Sequence, residues 1–167
     1  MADAQQPAAA PERRRLVVAS EGRPITSAVI ARAVELARPG GADVLVVSVA
    51  RVWGTSLGFP NPWLLPSRRE WEAQREIAAA AVKALQKAGL SAQARVVGTR
   101  RPGKRIVTVA ARFCATAIVM GADPRRRLIG DLSWSQEPHR VVRRSKRIPV
   151  HLVVAEPRAA AARPARR

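Results

Sequence analysis

The chain reads as an α/β protein, a doubly wound five-stranded parallel sheet with helices on both faces, and three observations predict it. Five short apolar runs alternate with four amphipathic segments, the β-α-β order of crossover folds. The runs, such as Leu16-Val17-Val18-Ala19 and Val44 to Val49, are almost continuously apolar, as in strands covered on both sides. Aromatics are only 4% of the chain, with no Tyr, so the core must be built of Val, Ile, Leu and Ala.

Each element has its own local signals. Leu16 to Ala19 is β-branched and compact, and Glu21-Gly22-Arg23-Pro24 ends it. Thr26 or Ser27 then caps a helix with Val29, Ile30, Ala33, Val34 and Ala37 on one face, and Pro39-Gly40-Gly41 stops it. Val44 to Val49 is the second strand. An apolar loop follows, Trp53 to Pro66, carrying Trp53, Phe59, Trp63, Leu64 and Leu65. It reads either as a segment folded back over the sheet or second helix, or as a partner surface. Ser67 and Glu70 have the spacing of a capping box. The helix behind them presents Trp71, Ala78, Ala81, Val82 and Leu85, with Gly89 where a left-handed C-terminal cap belongs.

Ala94 to Val97 is the third strand. Pro102-Gly103 opens a helix bearing Ile106, Val107, Val109, Ala110 and Phe113, and Ala117 to Met120 is the fourth strand. Ser135 is a candidate N-cap for a short last helix with Val141 and Val142 turned inward and Arg143, Arg144 and Lys146 at its negative end. Val150 to Val154 closes the sheet. Residues 1–13 and 156–167, rich in Ala, Pro and charge, read as flexible tails around a single domain at 14–155.

One Cys, Cys114, rules out an internal disulfide and suits a reducing compartment; with two separated His residues it makes no recognisable zinc constellation. The N-terminal segment lacks a signal-peptide core, and no stretch approaches the roughly 20 apolar residues of a membrane span. The expectation is a soluble cytoplasmic protein that does not enter a membrane. Net charge is +18, and residues 100–147 hold thirteen Lys and Arg against Asp123, Asp131 and Glu137. A field of that sign attracts polyanions; compositional Arg bias is the competing explanation.

Three segments together resemble the universal stress protein family: LVVASEGRPITSAVIARAVELA, ATAIVMGAD and IPVHLVV, in that order across residues 14–155. The resemblance implies the adenine nucleotide alpha-hydrolase-like fold, a non-enzymatic stress-response role and a homodimer paired through the last strand, Val150 to Val154. It also implies a nucleotide site at the carboxyl ends of the first and fourth strands, where strand order reverses. Glu21 stands where nucleotide-binding members commonly have Asp.

Those members carry G-x-x-G-x9-G-[ST] after the fourth strand, glycines admitting the backbone to phosphates. Laid on this chain the signature starts at Gly121, meets Pro124 and Trp134 in place of its other two glycines, and ends on Ser135. Proline has no N–H to donate and an indole blocks close approach. The expectation is therefore an ATP site that is altered or lost. A first alternative keeps ATP or another adenine nucleotide in a distorted loop, with Arg125, Arg126 and Arg127 holding phosphate by side-chain charge and Gly130 replacing a missing glycine. The plainer reading of that Arg run is a solvated turn. A second alternative is a basic module binding nucleic acid or the ribosome. Phosphate-loop, G-x-G-x-x-G and G-x-S-x-G motifs are absent, and His139 and His151 have no partners in pattern, so no enzyme is expected.

Overall fold

A computed structural model describes residues 13–38, 40–51, 66–122 and 137–154. Among the described residues nine elements alternate: β1 (Arg14–Ser20), α1 (Ser27–Ala37), β2 (Ala42–Arg51), α2 (Arg68–Lys87), β3 (Ser91–Thr99), α3 (Pro102–Arg112), β4 (Ala117–Ala122), α4 (Glu137–Arg144) and β5 (Val150–Val154). The five strands form one sheet in the order β3-β2-β1-β4-β5, with every pairing parallel. This is the doubly wound sheet expected from the alternation.

The pleat sorts the strands' side chains between two cores. Leu16, Val18, Val44, Val46 and Val119 turn to the face covered by α1 and α2, where Val29, Ala33, Ala78, Ala81 and Leu85 meet them. Val17, Ala19, Leu45, Val47, Ile118 and Met120 turn to the other face, against Ile106, Val109 and Ala110 of α3 and Val141 of α4. Burial on both sides explains why neither β1 nor β2 shows polar alternation. Each fully buried Val or Leu, such as Leu85, contributes about 1.5–3 kcal/mol relative to an exposed one.

Local chemistry sets the helix ends. The Thr26 side chain, rather than Ser27, accepts from the Val29 backbone N–H. The Ser67–Glu70 capping box is complete: Ser67 Oγ accepts from Glu70 N–H at 3.2 Å, and Glu70 Oε2 from Ser67 N–H at 2.6 Å. Helix α2 ends with Gly89 at φ +84°, donating to Gln86 while Leu90 donates to Leu85. The same double bond closes α3, Cys114 donating to Ala111 and Ala115 to Ala110, but here Cys114 takes the left-handed conformation, at φ +54°.

Two expectations change. The third strand spans Ser91–Thr99 rather than Ala94 to Val97, because among the described residues it is a sheet edge paired with β2 alone, and Ser91, Gln93 and Arg95 point to solvent. A half-open edge strand carries polar residues that apolar patterning overlooks. In α4 only Val141 is turned inward; it is fully buried, while Val142 is 41% exposed. Adjacent residues on a helix lie about 100° apart, so both cannot face one contact line.

Candidate functional site

Strand order reverses at β1, which lies between β2 on one side and β4 on the other. The crevice beyond the carboxyl ends of β1 and β4 is therefore where this topology receives a ligand. Ala19 pairs with Met120 in register, which sets Gly121 level with Ser20 and one step short of Glu21. The two described residues expected at the site are thus brought to the same sheet end. Arg125, Arg126, Arg127, Gly130 and Ser135, together with Pro124 and Trp134, lie outside the described residues, as do Trp53, Phe59, Trp63, Leu64 and Leu65.

Glu21 follows β1 directly, in a turn closed by a serine. Ser20 Oγ accepts from the Arg23 N–H at 3.0 Å and donates to the Arg23 carbonyl. Gly22 makes the turn possible with φ +105°, a conformation that side chains resist. Its carbonyl accepts from Gln74 Nε2 of α2 at 3.5 Å, and Gln74 Oε1 in turn accepts from Ser48 Oγ of β2 at 2.6 Å. Gln74 so ties the first turn to the second strand.

The carboxylate itself is engaged by two cations. Arg51 Nη2, at the end of β2, stands 3.6 Å from Glu21 Oε2, and Arg23 Nη2 stands 3.7 Å from Oε1. The Glu21 side chain is only 8% exposed and Arg51 21%, so that pair sits largely out of solvent, while Arg23 is 43% exposed. Arg51 belongs to β2, which flanks β1 on the side away from β4. Glu21 is therefore held from the β2 side of the switch point, with its charge balanced.

Gly121 has a different character. A Cβ built there would meet Val29 Cγ2 of α1 at 3.5 Å, an ordinary contact, and its φ is not left-handed. Internal packing does not demand glycine at this position. A bare main chain at the end of β4, facing the first turn of α1, is then a feature of the crevice rather than of the core.

Elsewhere His139 is exposed on α4. His151 of β5 faces α1, where its Nδ1 lies 3.5 Å from Arg32 Nη2; burial first and the Arg32 charge second lower its pKa below the ordinary 6.5. A separate concavity of about 320 Å³ lies between α2 and β3, lined by Trp71, Arg75, Ala78, Ala94 and Val96, away from the switch point. Among the described residues no three His, Cys, Asp or Glu gather as metal ligands, and no helix is long and apolar enough to cross a membrane. Sequence reasoning missed Arg51, Gln74 and Ser48. Each is an unremarkable polar residue in its own segment, and only the pairing of β2 with β1 and the packing of α2 on the sheet bring them to the Glu21–Gly22 turn.

The fold and crevice define a doubly wound protein of the kind that receives ligands at a topological switch point. The model of the universal stress protein family matches residues 12–154, and the chain belongs to that family. No curated protein matches it at a significant level. Among solved structures, it is similar to a universal stress protein from Archaeoglobus fulgidus, 24% identical over 83% of this chain and 92% of the other, with TM-score 0.62. The Archaeoglobus fulgidus protein solved in complex with dAMP is 22% identical, covering 83% and 96%, also at 0.62. A family protein from Arabidopsis thaliana, solved with AMP bound, is 16% identical, covering 86% and 92%, at 0.52.

Proposed function

We propose that this chain is a non-enzymatic stress-response regulator of its family in which the ATP site is altered to the point of lost ATP affinity. The observation that carries the reading is the engagement of Glu21 by Arg51 and Arg23. An acid held by two guanidiniums, Arg51 at the end of β2 and Arg23 in its own turn, is not offered to a ligand in the crevice, and recruiting it would separate the largely buried pair with Arg51. The sequence beyond β4 supports the same conclusion, since Pro124 and Trp134 replace two phosphate-cradling glycines.

A second reading keeps a smaller adenine nucleotide, and the dAMP and AMP complexes of the related structures favour it. Gly121, which packing leaves free to vary, would be the backbone approach for a single phosphate, with Arg125, Arg126 and Arg127 as side-chain donors.

Thermal unfolding with 1 mM ATP or AMP, with mass spectrometry of the purified protein for retained nucleotide, separates these. A ligand at about 100 times its Kd stabilises by about 2.7 kcal/mol, raising Tm by about 5–10 °C for a chain of this size. The expected result is no ATP shift and no retained ATP. A shift with AMP alone establishes the second reading, and a shift of that size with ATP overturns the first.

Dimerisation belongs to the same proposal. Among the described residues β5 pairs with β4 alone, and a second copy of Val150–Val154 on its other edge would satisfy the backbone groups there. Sedimentation should find a dimer at micromolar concentration; a monomer throughout would remove this part.

A further inference from the structure

The two helical layers differ sharply in charge. The α1/α2 layer interleaves signs: Arg32, Arg38, Arg68, Arg69, Arg75, Lys83 and Lys87 accompany Glu35, Glu70, Glu72 and Glu76. Some of these are paired locally, Arg32 with Glu35 at 2.9 Å and Arg68 with Glu72 at 3.0 Å. The α3/α4 layer carries Arg101, Lys104, Arg105, Arg112, Arg140, Arg143, Arg144, Lys146 and Arg147, all exposed. Its one acid among the described residues is Glu137, the first residue of α4. A uniform compositional drift toward Arg would load both layers alike. The asymmetry belongs to the fold.

The cations form a continuous surface because α3 and α4 pack side by side on the same sheet face. On α3, Arg101, Arg105 and Arg112 fall at spacings of four and seven along one helix stripe, with Thr108 between them. On α4, Arg140, Arg143 and Arg144 are exposed along the side of the helix that flanks the buried Val141, and Arg147 lies just beyond the helix end. Eleven residues of helix rise about 16 Å, close to five nucleotides of one duplex strand at about 3.4 Å each. Phe113, the one Phe, Tyr or Trp described in this layer, is half-buried and packed on the core, which leaves the exposed His139 imidazole as the single ring described on this face. Single-strand recognition relies on aromatic rings for successive bases, whereas duplex backbone binding needs only cations in rows.

We propose that the α3/α4 face binds double-stranded nucleic acid through its phosphate backbone, without sequence preference. This does not depend on the state of the crevice at β1 and β4, which lies at the sheet end rather than on this face.

The test uses the full chain and a labelled DNA duplex of about 20 base pairs, followed by fluorescence anisotropy from 50 to 300 mM salt. Engagement of about six phosphates predicts a log K against log salt slope of about −5. The triple variant Arg105→Glu, Arg112→Glu, Arg144→Glu should lose at least about tenfold in affinity and flatten the slope. The variant Arg69→Glu, Lys83→Glu, Lys87→Glu makes the same change in net charge on exposed α2 positions and should lose under about threefold. If the Glu variants fail to fold by circular dichroism, the corresponding Gln variants give the same comparison. Equal losses from both faces, absence of binding at 50 mM salt, or tighter binding of the single strand would each overturn the proposal.

Discussion

Arg51, the last residue of β2, holds its Nη2 3.6 Å from Oε2 of Glu21, the residue just after β1. Thirty positions separate them in the chain, and parallel pairing of β1 with β2 makes them neighbours. With side chains 8% and 21% exposed, both charges are partly removed from water, so each depends on the other for compensation.

A double-mutant cycle measures that dependence. Glu21→Gln removes the carboxylate charge beside Arg51 and should cost about 1–3 kcal/mol in chemical denaturation. Adding Arg51→Gln should return part of this loss, giving a coupling of about 1 kcal/mol. Additive losses would show that the pair contributes no coupling.

The matched ends of α2 and α3 make a second comparison. Gly89 and Cys114 occupy the same left-handed position in the same double-bonded terminus. An L side chain there costs about 1–2 kcal/mol, partly offset by the larger backbone freedom of glycine in the unfolded chain. Cys114→Gly should therefore stabilise the protein by about 0.5–1 kcal/mol, and Gly89→Ala, with open space around its Cβ, should destabilise it by about 1 kcal/mol. A rise in Tm for Gly89→Ala would contradict the account.

His151 supplies a pH dependence. Burial, and then the Arg32 guanidinium, disfavour its charged form in the folded protein. The unfolded chain then binds the proton more readily, so stability rises with pH through this window. Its contribution is complete above the ordinary value of 6.5, declines as pH falls below it, and levels off beneath the depressed folded value. Arg32→Gln should move the His151 pKa upward in an NMR titration without restoring it fully, because burial, the larger cause, remains. A titration unchanged by that substitution would show that the charge of Arg32 is not felt at the ring.

Much of this architecture is legible before any folding is considered, because its physics is local. The Ser67–Glu70 box needs only a three-residue spacing, Gly89 needs only a helix to terminate, and the Val-rich runs announce strands covered on both faces. The same short-range reading marked Glu21 and Gly121 as strand ends near a reversal of order. It fell short wherever the answer depended on which neighbour a residue meets. Val141 and Val142 are chemically equal, and only the docking of α4 buries one and exposes the other.

The same division runs through the site and the surface. Residue order alone specifies an acid after the first strand and an excess of cations between residues 100 and 147. Pairing of β2 beside β1 decides that Arg51 neutralises that acid, and packing of α3 beside α4 gathers the cations onto one face. Hydrogen-bonded caps and apolar runs act over a few residues, while charge compensation and surface fields act through space between segments that only the folded sheet brings together.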